Sequence, residues 1–280
     1  MPRIAVCAPS TPFTRDDAAR VSALAGAFPG LDLVFHDQCF ATQGHFAGAD
    51  EVRLAAFLDC ANDPGFDAVW FVRGGYGAGR IAEAAVARLA RCAGDKAYLG
   101  YSDAGYLLAG LYRAGIGRPA HGPMPVDIRR PSGEAAVRRA LAWLAQGRCA
   151  APSPGTPPAV AFNLMTLAML TGTTLMPPLD GHVVMVEEVS EHLYAIDRLF
   201  FHLAHHLGNV AGLMLGRVSD VPDNDRPFGA EPGEIARYWC ERAGVPFLGA
   251  ADIGHDSDNK IVPFGQPTGL ASGHGGSYPP

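Results

Sequence analysis

Three residue types that together can transfer an acyl group fall on three separate strand-to-loop corners of this 280-residue chain. They are Ser102 in GYSD, the paired Glu187 and Glu188 in HVVMVEEV, and His255 in FLGAADIGHDSDNK. A serine hydroxyl becomes a nucleophile when an imidazole takes its proton and a carboxylate orients that imidazole. Each group also has a plainer reading. Serine before a helix is most often an N-cap, a Glu pair at a strand end is usually a solvated edge, and a lone loop histidine is more often incidental. Ala104 also stands where the G-x-S-x-G elbow has its last glycine. The context of Ser102 tips the balance. Tyr98 and Leu99 end a short buried strand, Gly100 permits a sharp turn, and Ala104 to Leu111 has helical apolar spacing. The first N–H groups of such a helix lack partners and favour an anion beside the hydroxyl.

A glycine loop, RGGYGAGR, follows another apolar strand, VWFV. As a dinucleotide fingerprint its spacing is poor: counting from Gly75 and Gly77, the third glycine position is Arg80. Counting from Gly77 and Gly79 it is Ala82, a tolerated but weak match that starts late after the strand. Its better use is to bring a backbone N–H close to a substrate, as the second donor for an oxyanion. His202 and His206 are four apart on a helix, but no Glu adjoins His202, and the segment reads as a packed helix, not a metal site. Cys7, Cys39, Cys60, Cys92, Cys149 and Cys240 form no C-x-x-C pair and read as structural thiols.

The elements that must hold these corners alternate. The first half reads as strands at 3–8, 31–36 and 68–72 and one ending at Tyr98 and Leu99, interleaved with helices at about 16–28, 50–62 and from the glycine loop through Leu89. The Ser102 corner, a strand at 119–124 and a helix at 133–145 follow. That order predicts an α/β fold with a mainly parallel sheet covered by helices, with ligands at the carboxyl ends of the strands. The Pro-rich run 149–160 predicts a stiff linker after an N-terminal domain 1–148, leaving 161–280 as a smaller α/β domain carrying the Glu and the His. There, helices are expected at 163–170, 193–207 and 231–243, with strands at 182–186 and 210–218. The tail beyond about 271 reads as poorly ordered. A net charge of −6, only two lysines and scattered arginines argue against nucleic acid. No apolar run reaches membrane-spanning length, and MPRIAVCAPSTPF reads as a first strand rather than a secretory signal. The cytoplasm is the expected compartment, and apolar helices leave a homodimer open.

RGGYG, GYSD, HGPM, the NL helix, VEEVSE, YAIDR, AGLMLGR and a late GH loop occur in one order. This series resembles the LD-carboxypeptidases, serine peptidases of murein tetrapeptide recycling, with the microcin-immunity peptidases as relatives. The likeness runs from IAVCAPS to about Pro267. It implies a two-domain α/β fold with Ser102 as nucleophile, Glu187 rather than Glu188 as the acidic member, and His255 as the base. It also implies backbone N–H groups of Gly75 and Asp103 as the oxyanion hole, with no cofactor or metal. The substrate would be a small peptide or muropeptide cut at the L,D-bond before a terminal D-alanine. Gripping that terminal carboxylate falls to Arg73 or Arg80 on charge and position. The same-class alternative is an immunity peptidase for aminoacyl-nucleotide antibiotics, with Tyr101, Tyr106 and Trp239 available to stack on a base. The other is a non-catalytic binder of cell-wall peptides.

Overall fold

Five short apolar segments of the first half become neighbouring parallel strands. A computed structural model describes residues 1–146 and 155–267. In it β1 (Arg3–Cys7), β2 (Asp32–Phe35), β3 (Ala68–Phe71), β4 (Ala97–Gly100) and β5 (Arg118–His121) lie in the order 2-1-3-4-5. The helices α1 (Arg15–Ala25), α2 (Asp50–Asn62), α3 (Ala78–Ala87), α4 (Gly105–Ala114) and α5 (Gly133–Gln146) provide the crossovers and cover both faces. Strands β3 and β4 are buried at every residue, which is why their sequences are unbroken apolar runs instead of alternating ones.

The second half repeats the pattern. Strands β6 (Pro158–Asn163), β7 (Val183–Val189), β8 (Gly212–Ser219) and β9 (Phe247–Ala250) are parallel, with α6 (Leu164–Leu170), α7 (Leu193–Ala204) and α8 (Pro232–Ala243) between or beside them. The chain then does something that its composition does not announce. Strand β10 (Val262–Pro263) returns to pair antiparallel with β5 of the first sheet. Two residues on, β11 (Gln266–Pro267) pairs antiparallel with β6 of the second. Between them Phe264 N–H donates to Pro119 O (2.9 Å) and Gly265 N–H to Ala159 O (2.9 Å).

The two sheets also share apolar core. One cluster runs from Phe57 and Tyr98 through Leu107 and Leu111 of α4 to Leu167, Ile196 and Leu213. Where α4 meets α6, a Cβ on Gly105 would come within 2.9 Å of the Thr166 methyl, so glycine sets the closeness of the approach.

The expected linker needs correction at its C-terminal end. Residues 147–154 lie outside the described residues, but Pro158–Val160 are already strand β6, hydrogen-bonded between β7 and β11. Proline is tolerated there because it is the first residue of the strand. The tail beyond 271 lies outside the described residues, as does Cys149. No described helix is long and apolar enough to cross a membrane.

Candidate active site

Ser102 stands at the carboxyl end of β4 with φ of +58°, in the left-handed region that an L-residue enters only under constraint. A single 3₁₀ turn, Ser102–Ala104, separates it from α4. The elbow is held from below by close packing: a Cβ on Gly100 would lie 2.9 Å from the Phe71 ring and 3.1 Å from Ala104 Cβ. The glycine loop after β3 meets the elbow from the side. A Cβ on Gly74 would fall 2.9 Å from Ser102 Cβ and 3.0 Å from its Oγ, so no other residue fits there. Gly75 has φ of +104°, and Thr11 pins the loop by donating to Gly74 O (2.7 Å).

The side chain of Asp103 has a task the sequence reading did not give it. It is buried, accepts from Ala78 N–H (2.8 Å) at the start of α3, and accepts from the Ser10 hydroxyl of the β1 loop. Burial raises its pKa against the pull of those two donors and of Gly77 N–H. One carboxylate thereby ties three loops around the elbow. Fully buried Arg53 ties the same region by donating to Gly77 O (2.8 Å) and Pro9 O.

Glu187 and His255 meet across the second sheet. His255 Nδ1 lies 2.5 Å from Glu187 Oε2, with the carboxylate fully buried and the imidazole one-tenth exposed. Burial disfavours the charged imidazole, but the Glu187 carboxylate outweighs it and holds the pKa above the ordinary histidine value. Glu187 sits within β7 rather than at its end, aligned with Asn163 of β6. Its face of β7 is the one carrying Val183 and Met185, which pack with Ile253 of the histidine loop. Glu188, just past a register shift between β7 and β8, is spent on structure. It accepts from Asn163 Nδ2 (2.7 Å), Met165 N–H (2.9 Å) and its own neighbour Val189 N–H (2.9 Å), so it caps the start of α6.

Tyr101 joins the two halves of the site. Its ring lies 4.8 Å from the His255 ring and 5.6 Å from that of His121, and Ser102 is the next residue. The Ser102 carbonyl also receives the Thr166 hydroxyl of α6 (3.4 Å). Among the described residues Ser102 Oγ has no hydrogen-bond partner. His121, fully buried, has its pKa depressed to about 4 by burial. Its Nε2 lies 3.1 Å from Asn259 Oδ1, which also receives Gly254 N–H (3.3 Å), so a strand of the first sheet steadies the loop that bears His255.

The arginines separate. Arg80 is half-exposed and paired with Asp50 (2.8 Å). Arg73 donates weakly to Pro12 O (3.4 Å), and burial followed by the nearby Arg129 lowers its pKa. His202 contacts the Thr171 hydroxyl, and its ring lies 4.8 Å from that of His206. Among the described residues no three His, Cys, Asp or Glu side chains are grouped as a metal site.

A serine on a strained strand-to-helix elbow, a glycine loop against it and a buried Glu–His pair, carried on two α/β sheets, are groups of the kind acyl-transfer hydrolases use. The chain belongs to the LD-carboxypeptidase family: the model of the family's N-terminal domain matches residues 4–122 and that of its C-terminal domain residues 158–270. It is 27% identical to the murein tetrapeptide carboxypeptidase of Pseudomonas aeruginosa, over 85% of this chain and 83% of that protein. Among solved structures, the muramoyltetrapeptide carboxypeptidase of Oxalobacter formigenes superposes with a TM-score of 0.77 at 24% identity, covering 94% of this chain and 92% of that one. The microcin C7 self immunity protein in complex with aspartyl sulfamoyl adenosine shares the fold with a TM-score of 0.75 at 19% identity, covering 94% and 91%.

Proposed function

We propose that this protein is a metal-independent serine carboxypeptidase of the cytoplasm that removes the terminal D-alanine of murein tetrapeptides by hydrolysing the L,D-bond, in cell-wall recycling. The observation that carries the chemistry is the buried 2.5 Å pair of Glu187 and His255 beside the strained Ser102 elbow. In this mechanism His255 takes the Ser102 proton as the hydroxyl attacks the carbonyl before the last residue. Backbone N–H groups of Gly75 and Asp103 receive the oxyanion. The imidazolium, stabilised by Glu187, then protonates the leaving amine, and water repeats the cycle on the acyl-enzyme. The substrate class draws on the name of the Pseudomonas relative.

A pocket for an antibiotic's base finds less support. The Tyr101 ring is engaged by two histidines and its hydroxyl by Asp127, while Trp239 donates to Asp197 (2.9 Å) and packs edge-on against Phe201. Two measurements test the proposal. A fluorophosphonate should add to Ser102, which a non-catalytic binder would not permit. Mass spectrometry of a muropeptide tetrapeptide should show loss of one D-alanine. Cleavage of an aminoacyl-sulfamoyl nucleoside with no action on the tetrapeptide would replace this reading.

A further inference from the structure

The side of Ser102 on which the departing amino acid lies follows from the imidazole. His255 must pass its proton to the leaving nitrogen, so that nitrogen comes within about 3 Å of the ring. The carboxylate carbon of a departing amino acid is two bonds further, roughly 2.5 Å away. A cation that grips it therefore stands on the His255 side of the elbow, within about 8 to 10 Å of the imidazole, allowing one hydrogen bond and the width of a guanidinium.

The sheet order decides among the arginines. The strands run β5-β4-β3-β1, with Ser102 after β4. Arg73 and Arg80 follow β3; one reaches Pro12 in the β1 loop and the other Asp50, both on the far side from β5. His255 instead packs over Tyr101 and His121, at the ends of β4 and β5. Arg130 is on that side. Its Nε donates to Asp127 Oδ1 (3.0 Å), the same oxygen that receives the Tyr101 hydroxyl (2.7 Å), while Met124 N–H holds the other oxygen (2.8 Å). Asp127 is fully buried, so this edge of the guanidinium is locked next to the ring that backs His255. The guanidinium also bonds the Tyr101 hydroxyl, and on its other side Arg130 borders a cavity of about 430 Å³ lined by Arg20, Ile128 and residues 132–135 at the start of α5. Burial and Glu187 dominate the titration of His255, and the charge of Arg130 comes next.

We propose that Arg130 grips the free carboxylate of the substrate's last residue, which makes the site an exopeptidase for acid-ended peptides. Its Nη pair presents the planar fork that matches a carboxylate through two parallel bonds. The assignment rests on the carboxypeptidase reading above.

The test compares a tetrapeptide ending in D-alanine with the same peptide ending in D-alaninamide. The unaltered protein should favour the acid by about 10²-fold in kcat/KM, the weight of charge-assisted bonds to one carboxylate. Arg130→Gln should lower kcat/KM for the acid by about that factor, mainly through KM, and bring acid and amide within tenfold of each other. Should Arg130→Gln fail to fold, Arg130→Lys keeps a charge beside Asp127 but loses the fork, and the preference should fall about tenfold. An unchanged preference in a folded Arg130 variant overturns the assignment. So does loss of preference in Arg73→Gln with Arg130→Gln unaffected, or equal cleavage of both peptides by the unaltered protein. Cleavage of neither peptide overturns the carboxypeptidase reading and this assignment with it.

Discussion

Replacing Glu187 by glutamine removes one charge from a buried pair while keeping its shape. The carboxylate is fully buried, and its oxygen is 2.5 Å from the imidazole nitrogen. When His255 carries a proton in the transition state, the charge centres are about 4 Å apart; at an effective dielectric of about 20 their attraction is worth about 4 kcal/mol. Losing it slows turnover by about 10³-fold, and a glutamine that favours the wrong tautomer adds to the loss. Glu187→Gln should therefore lower kcat by 10³-fold or more with KM within a few-fold. The acid limb of kcat/KM should move as well. Glu187 now holds the imidazole above its ordinary value, so activity in the unaltered protein rises only as pH passes that elevated point; without the carboxylate, unopposed burial shifts the limb to lower pH. Glu188→Gln is the control. It places an NH₂ against one of the three donors Glu188 now serves, which should cost about 1–3 kcal/mol of stability but far less turnover. Steady-state kinetics from pH 5 to 9, with urea unfolding of both variants, decide the matter. The reverse ranking would transfer the role to Glu188, and two mild effects on kcat would refute the triad.

Ser102→Ala should fold normally and lose roughly 10³-fold or more in turnover; retention of more than a few per cent of activity at an unchanged Tm would leave Ser102 a mere cap. Chelators should leave activity intact, whereas loss in EDTA restored by zinc would implicate His202 and His206. His121 should make the fold acid-sensitive. It stays neutral in the native state down to about pH 4, while the unfolded chain takes up a proton near 6.5, so stability falls as pH drops through that window by about 3 kcal/mol. His255 works in the opposite sense above that window, because its raised value makes its contribution full in acid and lost at higher pH. Urea titrations of His121→Phe should show a shallower loss between pH 6.5 and 4, and an identical slope would refute the burial argument.

The alternation of strands and helices was legible because β3 and β4 are buried on both faces and their sequences are therefore plain apolar runs. The same property hid the choice between Glu187 and Glu188. With valines and methionine on both faces of β7, periodicity cannot say which carboxylate looks toward the histidine loop, and the tertiary contact of Ile253 with Val183 and Met185 does. The first three residues of β6 read as linker because prolines at 157 and 158 stand directly before its apolar residues, and β10 and β11 are too short to leave any period. The arginines show a further limit. Sequence position favours Arg80 and does not pick out Arg130, yet Arg80 is neutralised at the surface by Asp50 while Arg130 is locked beside Tyr101 by a buried Asp127. The first pairing joins residues thirty positions apart, and the second is local but takes its meaning from burial of Asp127 against Tyr101, which only folding reveals.

The return of β10 to β5 also sets the timing of biosynthesis. Ser102 and its elbow are synthesised in the first half of the chain, yet the outer edge of β5 stays uncovered until Val262 and Pro263 follow. Glu187 and His255 arrive between those two events, and the stitch of β10 and β11 across both sheets comes last. A nascent chain thus carries the strained serine well before the Glu187–His255 pair can form, and its two halves are fastened together only after that pair has been made.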